Sequence, residues 1–167
     1  MKPVSSQPRW VFSKAFQEFD VSTLAASVAA WGFDGIDLTV RPGGHVEPTE
    51  AKAQLPRALQ ACREAGVALG MLTTNIVSPD DDTAEAICGA AAEAGVEFLK
   101  LGYVRYTPGQ LAGDVEQMRR DGEAFEKLAG KHGVCVCHHV HSGPFVNANA
   151  ALLAQVFRDH DPKHFGA

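Results

Sequence analysis

His139 and His141, two residues apart in the stretch CVCHHVHSG, are the side chains of this sequence best suited to chemistry. A neutral imidazole can ligate a divalent ion or move a proton near pH 7. Two imidazoles on one face of a strand can converge on one ion. His139 is the candidate metal ligand or base, and His141 its catalytic neighbour. His45 follows two glycines in RPGGHV and is a candidate substrate contact. Arg105 can hold a carboxylate or phosphate. Tyr103 and Asn75 complete the candidate substrate-binding set. Asp37 in GIDLTV and Lys100 in EFLKLG interrupt apolar runs. An unpaired buried charge is costly, so the two are expected to be interior partners.

A repeat supplies the elements that must position these residues. Four helical stretches end in a glycine followed by an apolar, strand-like run: AAWGFDGIDLTV, REAGVALGMLTT, AEAGVEFLKLGY and AGKHGVCVCHHV. The glycines are Gly32, Gly66, Gly95 and Gly133, spaced by 34, 29 and 38 residues. Glycine just past a helix takes the left-handed conformation other residues resist. A period near 30 matches one β-strand plus one helix. Strands are expected at 9–15, 35–40, 67–74, 97–103 and 134–140. Helices are expected at 21–31, 50–65, 81–94, 114–131 and 148–159. Asp20, Thr49, Asp80–Asp82, Asp114 and Asn147 are their expected caps or first-turn residues.

Strict alternation of strand and helix implies a parallel sheet with right-handed crossovers. Two architectures fit: a (β/α)8 TIM barrel, or an open doubly wound parallel sheet. The doubly wound sheet usually carries a Gly-rich phosphate loop after its first strand. Here that position reads SKAFQEFD, and neither GxGxxG nor GxxxxGK[ST] occurs. The barrel is favoured. A whole barrel needs about 250 residues, so residues 1–167 are expected to form one domain of about five βα units, cut at the start of a sixth strand.

Side-chain alternation then sorts the strands. Ile36, Leu38 and Val40 form one phase of the second strand, with Asp37 and Thr39 on the other. In the fifth, Val134, Val136, His138 and Val140 share the helix-facing phase. Cys135, Cys137, His139 and His141 face inward, the histidines at the C-terminal end where barrels carry their chemistry.

Composition narrows the function. Of 167 residues, 46% are hydrophobic and 21% charged, ordinary for a globular chain. The net charge of -5 argues against nucleic acid, which demands a basic surface. No apolar run reaches the roughly 18 residues of a membrane span, and the first nine residues lack a signal-peptide core. A cytoplasmic protein acting on a small molecule is the expectation. The four cysteines are read as small core residues.

Taken together, GFDGIDLTVRPGGHV, the AGV and AGVEFLKLG units and HHVHSG resemble the xylose isomerase-like barrels over nearly all of residues 10–167. These are sugar-phosphate isomerases and epimerases, with related dehydratases of ketocyclitols. The resemblance implies a divalent metal (Mn, Co, Mg or Zn) at the C-terminal rim, with Glu, Asp, His and Glu ligands from strands five to eight. The first of these falls on His139; the others are expected beyond residue 167. The implied function is a metal-dependent sugar or sugar-phosphate isomerase or epimerase, working by proton abstraction through an enediolate. Histidine in place of the strand-five Glu can ligate or move a proton but adds no negative charge. That gives weight to a lyase, a polyol dehydratase on the same fold, as the alternative. A non-catalytic binding or scaffold domain is the third reading. Five strands without closure would leave two open edges and an uncovered inner face, so the segment alone is expected either to associate into a homo-oligomer or to be poorly soluble.

Overall fold

The computed structural model describes residues 7–167. Six strands form one sheet in the order of the sequence: β1 (Trp10–Phe12), β2 (Gly35–Val40), β3 (Ala68–Thr74), β4 (Phe98–Lys100), β5 (Cys135–Cys137) and β6 (Phe165–Gly166). Every neighbouring pair is parallel. Helices α1 (Val21–Ala30), α2 (Ala51–Ala65), α3 (Ala84–Glu93), α4 (Leu111–His132) and α5 (Ala150–Val156) fill the crossovers. A doubly wound sheet reverses its strand order at a switch point. The unbroken order here is the winding of a barrel. The sheet is open: β1 and β6 do not pair with each other.

The local chemistry explains most boundaries. Asp20 caps α1 by accepting the Thr23 N–H at 2.7 Å. The four repeat glycines all adopt positive φ, between 69° and 76°, the conformation that ends a helix and turns the chain into the next strand. Strand β2 spans 35–40 as expected. Strand β1 stops early because the chain turns into a 3-10 helix at Ser13, whose buried hydroxyl accepts the Thr39 N–H at 2.9 Å. Strands β4 and β5 are also shorter than their apolar runs, three residues each. Four expected helix starts differ. Helix α3 begins at Ala84, after Asp80–Asp82, and Glu85 is the acidic residue of its first turn. A 3-10 turn at Pro48–Glu50 leads into α2 without a Thr49 cap. Helix α4 starts at Leu111, ahead of Asp114, which instead accepts the Thr107 N–H. Asn149 caps α5 through the Ala151 and Leu152 N–H groups, leaving Asn147 for another role.

Register sorts the two faces. Leu38, Leu72, Leu99, Val136 and Phe165 lie side by side, all essentially without solvent exposure. This row meets the helices through Leu24, Val28, Leu55, Ile87 and Phe125. Fully burying one such side chain stabilises by about 1.5–3 kcal/mol. The opposite phase forms two inner rows. One is Phe12, Asp37, Met71, Phe98 and Cys135; the other, nearer the strand C-termini, is Thr39, Thr73, Lys100, Cys137 and Gly166. A register shift at Ile36/Asp37 leaves Gly70 as an extra residue in β3. Only glycine fits there: a Cβ would stand 2.3 Å from the Trp10 ring. Trp10 thus floors the inner face. All four cysteines are free and buried. No described helix is long and apolar enough to cross a membrane.

Phe12 and Phe98 lie on the inner face and are 41% and 36% exposed. With two unpaired edges beside them, residues 1–167 alone are expected to self-associate. Sedimentation velocity checks this. A single monomeric boundary across a tenfold concentration range would contradict it.

Candidate active site on the inner rim

Parallel strands point their C-termini the same way, so residues at those ends share one rim. The inner rows bring Asp37, Thr73 and Lys100 to it. Asp37 accepts a hydrogen bond from the Thr73 hydroxyl, at 2.8 and 3.0 Å to its two oxygens. The expected Asp37–Lys100 ion pair does not form: among the described residues neither side chain takes part in a salt bridge. Lys100 extends instead over the Tyr103 ring, its Nζ 3.5 Å from the ring centroid. That is cation–π distance. Tyr103 stands where β4 has ended and the chain turns back through Gly102. Gly102 packs so closely on Asn75 that a Cβ would sit 2.7 Å from the Asn75 carbonyl oxygen.

The electrostatics are coupled. Burial raises the Asp37 carboxyl above its ordinary value; the Thr73 hydrogen bond and the charges of His139, Lys100 and Arg41 act against it. Burial, reinforced by Arg41, pushes Lys100 down to about 8, with Asp37 opposing. Burial and then the Lys100 charge lower His139, which keeps the imidazole neutral at pH 7. His139 is therefore within the electrostatic reach of Asp37 and Lys100. The rim gathers a neutral base, a half-buried carboxyl and an amine.

The remaining candidates divide. His141 does not continue the inner phase, because β5 ends at Cys137 and alternation ends with it. His141 packs against Tyr103 with the rings tilted and their centroids 4.2 Å apart, and meets Phe145 edge-on at 5.8 Å. Arg105 is exposed, its guanidinium 5.3 Å from the centroid of the Phe145 ring. Val140, expected against the helices, is 58% exposed because it too lies past the strand. Asn75 is exposed on the loop after β3. His45 has both ring nitrogens engaged: its Nδ1 pairs with the hydroxyl of Thr39 in the inner row at 3.1 Å and its Nε2 with the Phe16 carbonyl at 3.2 Å. It also lines a hollow between α1 and α2, beside Val21, Gln54 and Arg57. That hollow lies on the helical side, away from the inner rim.

Sequence reasoning missed Asn147. It is fully buried and joins two rim loops. Its Oδ1 accepts the Val104 N–H at 2.8 Å, and its Nδ2 donates to Nδ1 of His138 at 3.0 Å. Asn147→Ala strands a buried acceptor and a buried donor, each costing about 1–3 kcal/mol. The variant is expected to lower the denaturant midpoint, with a loss of about 2–6 kcal/mol for the two groups together. An unchanged midpoint would show that water replaces the amide.

Metal binding has one candidate donor here. Among the described residues no three His, Cys, Asp or Glu side chains converge on a point. His139 is available to an ion, but the set that would complete a coordination shell is not supplied by these residues.

No family model matches the sequence, and no curated protein matches it. Solved structures do. The chain is similar to the E. coli 3-keto-D-glucoside 4-epimerase YcjR, with a TM-score of 0.70 and 15% identity over 96% of this chain and 68% of that one. It is similar to a D-psicose 3-epimerase crystallised in the presence of D-fructose, at 0.68 and 13% over 95% and 62%. It is similar to a sugar phosphate isomerase/epimerase from Parabacteroides distasonis, at 0.65 and 11% over 99% and 68%. The chain thus spans about two thirds of the length of these proteins. At such identities the likeness establishes the fold.

Proposed function

We propose that this xylose isomerase-like fold serves a sugar isomerase or epimerase, moving a proton at a carbon beside a carbonyl. The observation that carries the reading is the cluster of Asp37 on β2, Lys100 at the end of β4 and His139 just past β5. The fold's likeness to three sugar isomerases and epimerases supports it. In this reading His139, neutral at pH 7, takes the proton. Arg41 and Lys100 face the oxygens on which negative charge develops. Tyr103 and His141 form an aromatic wall for the sugar's C–H face. His45, whose ring nitrogens are both engaged, shapes the loop that carries Arg41. Arg105 and Asn75 stand further out, where they would meet a longer or phosphorylated substrate. A divalent metal, where bound, would polarise the carbonyl; His139 would then be one of its ligands instead of the base, Asp37 would be left to carry the proton, and the rest of the metal's shell would come from outside residues 7–167.

The test is exchange of substrate C–H for solvent deuterium, followed by proton NMR on a panel of ketoses, aldoses and their phosphates. Stereospecific exchange at the carbon next to the carbonyl supports the proposal. No exchange on any of them in D2O, with and without added Mn2+, overturns it.

A further inference from the structure

We propose that Lys100 is a covalent site for small carbonyl compounds, its Nζ adding to an aldehyde or ketone to form a Schiff base on the inner rim. The inference is separate from the isomerase reading and survives its failure.

Four observations carry it. Lys100 is 3% exposed, yet among the described residues its amine joins no salt bridge and no acceptor takes a hydrogen bond from it. A buried lysine normally has such a partner. Its Nζ lies over the Tyr103 π-face, 3.5 Å from the centroid, which fixes its position on the inner rim. The residue ends β4 on the inner face, in the same row as Thr73 and Cys137. Finally, charged and titratable groups stand within electrostatic reach: Asp37 and Arg41 from β2 and its loop, Cys137 and His139 from β5 and its loop, Lys14 from the turn after β1, and Tyr103 from its own loop. Burial first, and then the cations that outnumber carboxylates in that set, hold the amine near pKa 8, so about a tenth of it is neutral at pH 7.

The step balances. The neutral amine attacks the carbonyl carbon; the C–N bond forms and the C=O π pair goes to oxygen, which takes a proton. The nitrogen gives up a proton to a nearby base. Protonation of the carbinolamine hydroxyl then expels water, and the nitrogen lone pair closes the C=N bond. Asp37, raised by burial, and neutral His139 are placed to give and take those protons.

The test treats the intact chain with glycolaldehyde and sodium cyanoborohydride, which reduces the iminium to a stable secondary amine. Peptide mass mapping then follows each lysine. At pH 7.5, Lys100 is expected to be labelled about tenfold faster than the exposed Lys52 and Lys163, because far more of it is neutral. Its labelling rate should level off above pH 8 while theirs continues to rise. Lys100→Arg keeps the charge and removes the adduct. Labelling of Lys100 at or below the rate of Lys52 overturns the proposal. So does a rate at Lys100 that climbs in parallel with Lys52 up to pH 10.

Discussion

His139→Ala is expected to slow solvent exchange of the substrate α-proton by about 10²–10⁴, the range a positioned general base contributes. Among the described residues His139 is the neutral imidazole at the inner rim in reach of both Asp37 and Lys100. Removing it leaves Asp37, tied to Thr73, as the other carrier of a proton there. Loss of the base should appear in kcat with little change in KM. The pH profile gives an independent check. Burial and the Lys100 charge depress the His139 pKa, so its neutral form persists below the ordinary 6.5. The exchange rate should therefore hold as pH falls through 6.5 and drop only further down. Lys100→Met removes the positive neighbour and should move that acid limb upward. A profile that breaks at 6.5 or above in the wild type, or an exchange rate unchanged in His139→Ala, rules out the assignment.

Much of the scaffold was legible in the sequence because it depends on local rules. The repeat glycines announce helix ends, and all four take the left-handed conformation that the pattern demands. Strand β2 has the bounds its alternation implies, and its Asp37 and Thr39 face inward accordingly. His138 keeps the helix-facing phase of its valines and packs between Phe157 and Phe165. The site was less legible, and the reason is where the strands stop. Alternation is a property of extended chain. Past Cys137 the backbone leaves the sheet, so His141 and Val140 no longer obey it. The Lys100–Tyr103 contact and the two bonds of Asn147 join residues across loops, with no periodic signal in the sequence. A polar residue in a loop, such as Asn147, reads as a helix cap until a fold shows it buried.

Acid should destabilise the chain through His138, and the expected loss is about 3 kcal/mol by pH 4. His138 is 2% exposed, and burial, then the Lys100 charge, push its pKa down to about 3. Its Nδ1 accepts the Asn147 amide at 3.0 Å, a bond that needs the neutral ring. The unfolded chain, with an ordinary histidine, binds a proton below about 6.5, while the folded chain refuses it down to about 3. Between those values the unfolded state holds more protons, so stability is full above about 6.5 and falls as pH drops. Asp37 acts in the opposite sense: its raised carboxyl takes up a proton in the folded state first, which offsets part of the loss in the lowest part of the range. Chemical denaturation at a series of pH values would measure the net effect. The His138→Gln variant separates the contributions, since its stability should vary less between about pH 6.5 and 4 than that of the wild type. The His138 ring signals should also show no NMR titration between about pH 7 and 5. A His138 that titrates near its ordinary value of about 6.5 while the protein stays folded would mean that solvent reaches the ring. The acid loss would then belong to other groups.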